Sequence, residues 1–299
     1  MWPPLKLKSM YKEVLPLNRM IPVSVDYAKA GVPAPADPAT LNLMILPHQE
    51  DITLHPERPM VIVVPGGAYA FCSNREAEAI ALKFLAEGIH AAVLRYSVAP
   101  NRFPAAALEL AWSIRYCRAH AEEWHVRPDA ISILGFSAGG HLTGTVGTLW
   151  QDPLFEKVLG KDVSWRPDTQ LLCYPVLTLG EFTHVGSREN LLGTPEDPDN
   201  QLDKTEALSL ETRVTSQTPP TFLWHTAEDP AVPVENSLMY AAACRRCGVP
   251  FELHIFERGG HGLSTCQELT SRQESETVPD NTVWVPLAVR FILRHWQQN

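Results

Sequence analysis

The chain has 299 residues, of which 45% are hydrophobic and 20% charged, so it is long enough to bury one large core. Its formal net charge is −9 at pH 7, and this acidic balance argues against a surface that binds nucleic acid or an anionic membrane. We predict a single domain over residues 1–299.

The N-terminus and the cysteines bear on location. Residues 1–6 lack the charged and apolar regions of a signal peptide, and no apolar run reaches the length of a bilayer span. Cys244 and Cys247 form a C-x-x-C, but the pair stands alone in a helical pattern, so we expect neither metal nor redox chemistry. We expect a cytoplasmic protein that uses no cofactor and no metal.

The first half of the chain begins with strands. Two candidate strands, 21–27 and 41–46, suit an antiparallel pair at the edge of a sheet. The uninterrupted apolar run 60–65 suits a central strand. Apolar residues at helical spacing predict a helix over 75–88, which Gly88 ends.

A strand over 90–96 and a long helix over 103–124 lead to the most informative segment. The apolar run 131–134 enters Gly-Phe-Ser137-Ala-Gly, which matches G-x-S-x-G, and a small-residue helix is predicted over 139–148. A serine at such a strand-to-helix bend presents its hydroxyl free of the sheet. The alternation of strands and helices predicts a parallel sheet covered on both faces.

The second half contains a sixth strand over 169–177 and then a polar insertion, 180–219, with a short helix near 187–192. The insertion lies between two strands on the side where a site is expected, so it is a candidate cap. The pattern resumes with strands over 221–226 and 251–257 and helices over 234–247 and 283–296.

A serine nucleophile needs a base that is itself oriented by a carboxylate. Asp229 follows the strand 221–226, and His261 follows the last strand, so both lie at the edge where parallel strands end. We therefore predict Ser137, His261 and Asp229 as a catalytic triad, with Glu228 as the rival carboxylate.

Each of these residues has a simpler interpretation when taken alone. His261 between glycines could be a surface loop residue, and Asp229 before a proline could belong to a turn or a helix cap. His225 and His254 lie in predicted strands, and His141 lies in the helix after the bend. Three separate loops in the right chain order favour the triad.

Glycines after the first central strand predict an oxyanion hole. We assign its donors to the amides of Gly67 and Ala138, with Gly66 as the third; the alternative is a plain tight turn. The candidates for the substrate pocket are Tyr69, Phe136 and Val232. Phe71 and Trp224 are further aromatic candidates, although aromatic residues beside strands more often belong to the core.

Four segments now carry a family resemblance: Pro-Gly-Gly-Ala-Tyr at 65–69, Gly-Phe-Ser-Ala-Gly at 135–139, residues 225–233 and Gly-His-Gly at 260–262. They resemble the α/β-hydrolase superfamily, and more narrowly its hormone-sensitive-lipase-like branch with the acetyl-xylan and other carbohydrate esterases. The resemblance runs from about residue 41 to the C-terminus. It implies a mostly parallel eight-stranded sheet with an antiparallel N-terminal edge, helices on both faces and a small cap or none.

The chain departs from that branch at several positions. Pro65 stands where many relatives have histidine, and Ala68 stands where they have a third glycine. Tyr-Ser-Val-Ala-Pro at 96–100 replaces Tyr-Arg-Leu-Ala-Pro. These departures leave the backbone donors in place, but they put any transfer of acyl-chain preference in doubt.

The expected activity is that of a serine carboxylesterase acting through an acyl-enzyme. By resemblance, the expected substrates are short-chain esters, in particular acetyl groups on sugars or xylo-oligosaccharides. A peptidase or amidase, including aryl-formamidase-like chemistry, is the alternative on the same fold. A binding protein that has lost catalysis is disfavoured because His261 is present. The expected partner is a small-molecule ester, with no nucleic acid and no membrane, and a homo-oligomer remains open.

Overall fold

Eight strands form one sheet in the computed structural model, which describes residues 18–48, 54–162 and 164–297. The strands are β1 (Arg19–Pro22), β2 (Thr40–Met44), β3 (Arg58–Val64), β4 (His90–Arg95), β5 (Val126–Phe136), β6 (Thr169–Cys173), β7 (Thr221–Thr226) and β8 (Phe251–Phe256). Their order is β1-β2-β4-β3-β5-β6-β7-β8. The pairs β1–β2 and β2–β4 are antiparallel, and all the others are parallel.

Nine helices are found in the described part of the chain. They are α1 (Tyr27–Ala30), α2 (Glu78–Ala86), α3 (Ala105–Ala119), α4 (Ala121–Trp124), α5 (Ala138–Leu149), α6 (Pro153–Leu159), α7 (Val185–Leu192), α8 (Glu235–Cys247) and α9 (Trp284–Gln297). None of these helices combines the length and the apolarity needed to cross a bilayer.

The central strands are buried on both faces because helices cover both sides of the sheet. Along β3, Met60, Ile62 and Val64 belong to a core shared with α3 and α5. The alternate residues Val61 and Val63 belong to a core shared with α2 and α9. A strand with period-two side chains between two helical layers must be apolar throughout, which explains its uninterrupted hydrophobic run.

The carboxyl ends of the parallel strands meet at one edge of the sheet. Val64 of β3 lies opposite Gly135 of β5, and Phe136 lies opposite Cys173 of β6. Thr226 at the end of β7 lies opposite Phe256 at the end of β8. The loops that follow these strands therefore share one edge, as the sequence predicts.

The predicted fold class is confirmed: the sheet has eight strands, is mostly parallel and has an antiparallel N-terminal edge. The long helix predicted over 103–124 is divided between α3 and α4, which meet at His120. Two helices were not predicted, α1 and α6. The prediction for residues 1–6 falls outside the described residues.

The insertion 180–219 contains α7 and short 3₁₀ turns. Arg102, just ahead of α3, holds it through ion pairs of 2.7 Å each with Asp197 and Asp199. The amide nitrogen of Phe103 also donates to the carbonyl oxygen of Leu191, at 3.2 Å. These contacts fasten the insertion to the segment that precedes α3.

Candidate active site

Ser137 occupies the bend between β5 and α5 in a conformation that few side chains adopt. Its φ is 53° and its ψ is −118°. Such backbone strain is typical of functional sites, where the surrounding structure maintains it. A Cβ on Gly139 would collide with the carbonyl oxygens of Val64 and Pro65, which explains the glycine two residues after the serine.

The structure brings the three residues predicted as a triad into one hydrogen-bonded chain. Nε2 of His261 lies 2.7 Å from Oγ of Ser137, and Nδ1 of His261 lies 2.7 Å from Oδ2 of Asp229. An ionised carboxylate only accepts hydrogen bonds, so Nδ1 carries the imidazole proton and Nε2 is free to accept from the serine hydroxyl. Ser137 is 7% exposed and His261 is part-buried, so the chain is shielded but open to a small molecule on one side.

Asp229 is held in its ionised form. Burial alone would raise the pKa of this carboxyl, but hydrogen bonds from His225 and His261 and from the backbone of Val232 outweigh burial and bring the pKa well below its usual range. Oδ1 accepts from the amides of Ala231 and Val232, both at 2.9 Å. The rival carboxylate Glu228 is exposed and bonds to a backbone amide instead, at 3.3 Å.

The loop after β3 lies directly against the serine. A Cβ placed on Gly66 would lie 3.1 Å from Cβ of Ser137. Gly67 has a φ of 125°, and a side chain there would collide with the carbonyl oxygen of Phe71, so glycine is required. In the described part of the chain, the amides of Gly67, Ala68 and Ala138 have no hydrogen-bond acceptor within reach.

Gly66 does not serve as the third donor that the sequence predicted. Its amide donates to Oε2 of Glu76 at 3.0 Å, and this carboxylate is buried beside it. Among the described residues, the amide of Ala68 has no acceptor, as is the case for the amide of Gly67, so Ala68 takes the place of Gly66 as the third candidate donor.

The residues predicted to line a substrate pocket lie in the core instead. Phe136 and Val232 are completely buried, and Tyr69 is 3% exposed. The hydroxyl of Tyr69 donates to Nδ1 of His141 at 2.8 Å, while Nε2 of His141 donates to the carbonyl oxygen of Leu208 at 2.9 Å. Phe136 ends a central strand that helices cover on both faces, and Tyr69 is held inward by its hydrogen bond to His141.

The two further aromatic candidates, Trp224 and Phe71, differ in burial. Trp224 is completely buried in the core, in agreement with the simpler interpretation. Phe71 is 60% exposed and follows the oxyanion loop, which leaves its ring available to a ligand at the rim of the site.

His184 was not identified from the sequence. It caps α7, and its Nδ1 accepts from the amide of Ser187 at 3.2 Å, so Nε2 carries the proton of the neutral ring. Burial lowers the pKa of His184, and a charge on His261 lowers it further while Asp229 opposes the shift. His184 therefore lies within electrostatic range of His261 and Asp229, and among the described residues its Nε2 makes no hydrogen bond. No spacing in the sequence indicates this placement.

A separate cleft lies away from the triad. It is an open cleft of about 500 Å³ on the insertion, lined in part by Glu181, Asp203 and Glu206. None of the predicted site residues lines it. In the part of the chain that the structure describes, no group of three or more His, Cys, Asp or Glu side chains is arranged to hold a metal ion.

Comparison with known proteins identifies the family of the chain. Residues 46–243, more than half of the chain, match the BD-FAE family. Endo-1,4-beta-xylanase B of Butyrivibrio fibrisolvens is 36% identical over 234 residues, which are 76% of this chain and 35% of that protein. The acetylxylan esterase of Xylanibacter ruminicola is 30% identical over 231 residues, which are 75% of this chain and 45% of that protein. The chain thus spans less than half the length of both curated relatives.

A solved structure matches over nearly its whole length. The acetyl ester-xyloside bifunctional hydrolase from Caldicellulosiruptor lactoaceticus is 38% identical, with a TM-score of 0.78, and the match covers 95% of this chain and 98% of that chain. The resemblance inferred from the sequence motifs is thereby confirmed. The chain belongs to the BD-FAE family of α/β hydrolases.

Proposed function

We propose that this chain is a serine carboxylesterase. The observation that carries the proposal is the unbroken hydrogen-bonded chain from Asp229 through His261 to Ser137, with 2.7 Å at each step. This is the arrangement in which a serine hydroxyl becomes nucleophilic, because a base lies within reach and a carboxylate fixes its tautomer.

The reaction follows from that geometry. Nε2 of His261 takes the proton from Oγ of Ser137 as the oxygen attacks the ester carbonyl carbon. The tetrahedral intermediate collapses, His261 returns the proton to the departing alcohol, and the acyl group stays on Ser137. Water then gives a proton to the same nitrogen and attacks the acyl-enzyme, which releases the acid and restores the serine.

Backbone amides stabilise the negative charge on the oxyanion of the tetrahedral intermediate. The amides of Gly67 and Ala138, with Ala68 as a third, have no acceptor among the described residues and are the donors we assign to the oxyanion. Each such donor contributes about 3 kcal/mol to the stability of the transition state. Ala138 begins α5, and the partial positive charge of a helix N-terminus adds to the effect.

The substrate class that we propose is a small acetyl ester on a sugar or a xylo-oligosaccharide. The relatives named as an acetylxylan esterase, a xylanase and an acetyl ester-xyloside hydrolase support this assignment. A cytoplasmic location is part of the proposal, and the six free cysteine thiols agree with a reducing compartment.

Ester hydrolysis by purified protein tests the proposal. We expect turnover of p-nitrophenyl acetate that falls with longer acyl chains, and release of acetate from acetylated xylo-oligosaccharides. Ser137→Ala should lower kcat by at least about ten-thousandfold while the thermal melting temperature stays close to that of the parent. Turnover of anilides or formyl-anilines well above that of esters would instead assign the chain to the amidases.

A further inference from the structure

We propose that Glu76 is a positioning residue, an inference that rests on the proposed esterase function. It fixes the oxyanion loop, which follows β3 and carries residues 66–68, relative to the histidine loop, which follows β8 and carries His261. Glu76 ends the 3₁₀ turn Asn74–Glu76, ahead of α2, and is only 4% exposed. It touches neither Ser137 nor His261 through any hydrogen bond among the described residues, so it acts through its neighbours.

The first neighbour is the oxyanion loop. Oε2 of Glu76 accepts from the amide of Gly66 at 3.0 Å. This bond fixes the Pro65–Gly66 peptide, which adjoins the peptide that carries the Gly67 amide assigned to the oxyanion. The carbonyl oxygen of Gly66 is fixed as well, because it accepts from the amide of Ser73 at 2.9 Å.

The second neighbour is Tyr174, which follows β6. Its hydroxyl donates to Oε1 of Glu76 at 2.6 Å and accepts from the amide of Ser264 at 2.9 Å. The ring of Tyr174 packs edge-on against the imidazole of His261, with centroids 5.2 Å apart. Tyr174 thus supports the histidine ring and the loop that follows it, and Glu76 fixes the direction of its hydroxyl.

The residue before Glu76 strengthens the link. Nη2 of Arg75 donates to the carbonyl oxygen of Gly262, next to His261, at 2.9 Å and pairs with Glu276 at 2.7 Å. The guanidinium group of Arg75 therefore interacts with the histidine loop and with Glu276. In the described part of the chain, Glu76 has no Lys or Arg within salt-bridge distance, and its partners are two neutral donors.

Only a carboxylate satisfies this position. The Gly66 amide and the Tyr174 hydroxyl both point donors at Glu76, and a glutamine would offer one acceptor and a competing N–H₂ group. One of the two loops then loses the hydrogen bond that it donates to this side chain. Because oxyanion donors and the general base act most strongly in the transition state, a small shift should lower kcat more than it changes KM.

The test uses Glu76→Gln, Tyr174→Phe and the double variant in the full-length protein. We expect Glu76→Gln to lower kcat about tenfold to a hundredfold, with KM within about threefold of the parent. Tyr174→Phe should lower kcat about tenfold, and the double variant should be little worse than Glu76→Gln, because the two side chains act as one unit. Additive losses, or a loss confined to KM, would overturn the proposal.

The matched control is Glu109→Gln. Glu109 is completely buried and also accepts from hydroxyls and an amide, those of Tyr27 and Ser97, but among the described residues it has no hydrogen bond to either loop. We expect this variant to lower the melting temperature and to leave kcat near that of the parent. An equal loss of kcat in both variants would show a general effect of removing a buried carboxylate.

Hydrogen–deuterium exchange separates this inference from the proposed function, because it does not depend on turnover. Glu76→Gln should speed exchange in peptides covering residues 65–72 and 259–266, and Glu109→Gln should not. Unchanged exchange in both peptides would overturn the role of Glu76 even if the protein is an esterase. Faster exchange in a protein that cleaves no ester would support the role of Glu76 in linking the two loops and would refute the proposed esterase function.

Discussion

At the scale of single residues, the role of Asp229 follows from the hydrogen bonds that each of its carboxylate oxygens accepts. Oδ1 accepts from two backbone amides, and Oδ2 accepts from His261 and lies 3.4 Å from Nε2 of His225. In Asp229→Asn, the amide oxygen would face the two backbone donors, so the N–H₂ group would face Nδ1 of His261. The imidazole must then move its proton to Nε2, which can no longer accept from Ser137. We expect kcat for p-nitrophenyl acetate to fall about a thousandfold or more.

Glu228→Gln is the control for that prediction. Glu228 is the adjacent carboxylate and the rival named from the sequence, but it is exposed, and its hydrogen bond among the described residues is from the amide of Gly259. We expect its kcat to remain within about twofold of the parent, since exposed side chains away from the reacting atoms contribute little. A larger loss in Glu228→Gln than in Asp229→Asn would reverse the assignment of the acid.

The residues that could be predicted from the sequence are those marked by local chemistry. Ser137 lies in a pentapeptide with a recognised turn, and Asp229 and His261 each follow a strand. Glu76 and Tyr174 carry no such mark, because they meet across 98 positions in sequence and their bond exists only once the sheet is assembled. Phe136 was predicted for the substrate pocket, but it lies in β5, a central strand that helices cover on both faces, so its side chain is buried whichever face it meets.

At the scale of elements, the insertion reaches the oxyanion loop through α7. Nδ2 of Asn190 donates to the carbonyl oxygen of Ala68 at 2.9 Å. This carbonyl belongs to the Ala68–Tyr69 peptide, which adjoins the peptide that carries the Ala68 amide, so the bond restrains the loop beside the donors that we assign to the oxyanion. We expect Asn190→Ala to lower kcat about threefold to tenfold with little change in melting temperature, measured by steady-state kinetics and calorimetry.

Asn200→Ala serves as the comparison for that change. Asn200 lies in the same insertion, and its side-chain amide likewise donates to a carbonyl oxygen, that of Asp197, but the bond stays within the insertion. The loss of this bond in Asn200→Ala should leave kcat unchanged. Equal kinetics in the two variants would mean that α7 does not position the oxyanion loop.

The elements themselves were predictable where their signals are local. The strand predicted over 221–226 coincides with β7, since its apolar run begins after two prolines. Helix α6, which was not predicted, also has a local start signal in the sequence. Asp152 is its N-cap and accepts from the amide of Leu154, and Pro153 occupies the first turn. The break between α3 and α4 has no such signal, because no glycine or proline lies at His120.

At the scale of the whole molecule, two buried histidines couple stability to pH. Burial lowers the pKa of His141, and of His90, to about 4. The unfolded chain, in which both titrate near 6.5, therefore binds more protons than the folded protein between pH 6.5 and 4. The stabilisation is complete above pH 6.5 and is lost as the pH falls toward 4, by up to about 3 kcal/mol for each histidine.

Urea unfolding at a series of pH values from 8 to 4.5 checks this prediction. We expect the free energy of unfolding to fall steeply below pH 6.5, well above the range in which Asp229, with its lowered pKa, takes up a proton. His141→Gln keeps a side chain that can bond to Tyr69 and Leu208, and it should flatten the slope by about one proton. His55→Gln, at an exposed position, is the control and should leave the slope as it is. A parent protein whose unfolding free energy stays constant from pH 7 to 4.5 would contradict the burial of neutral imidazoles as the source of acid sensitivity.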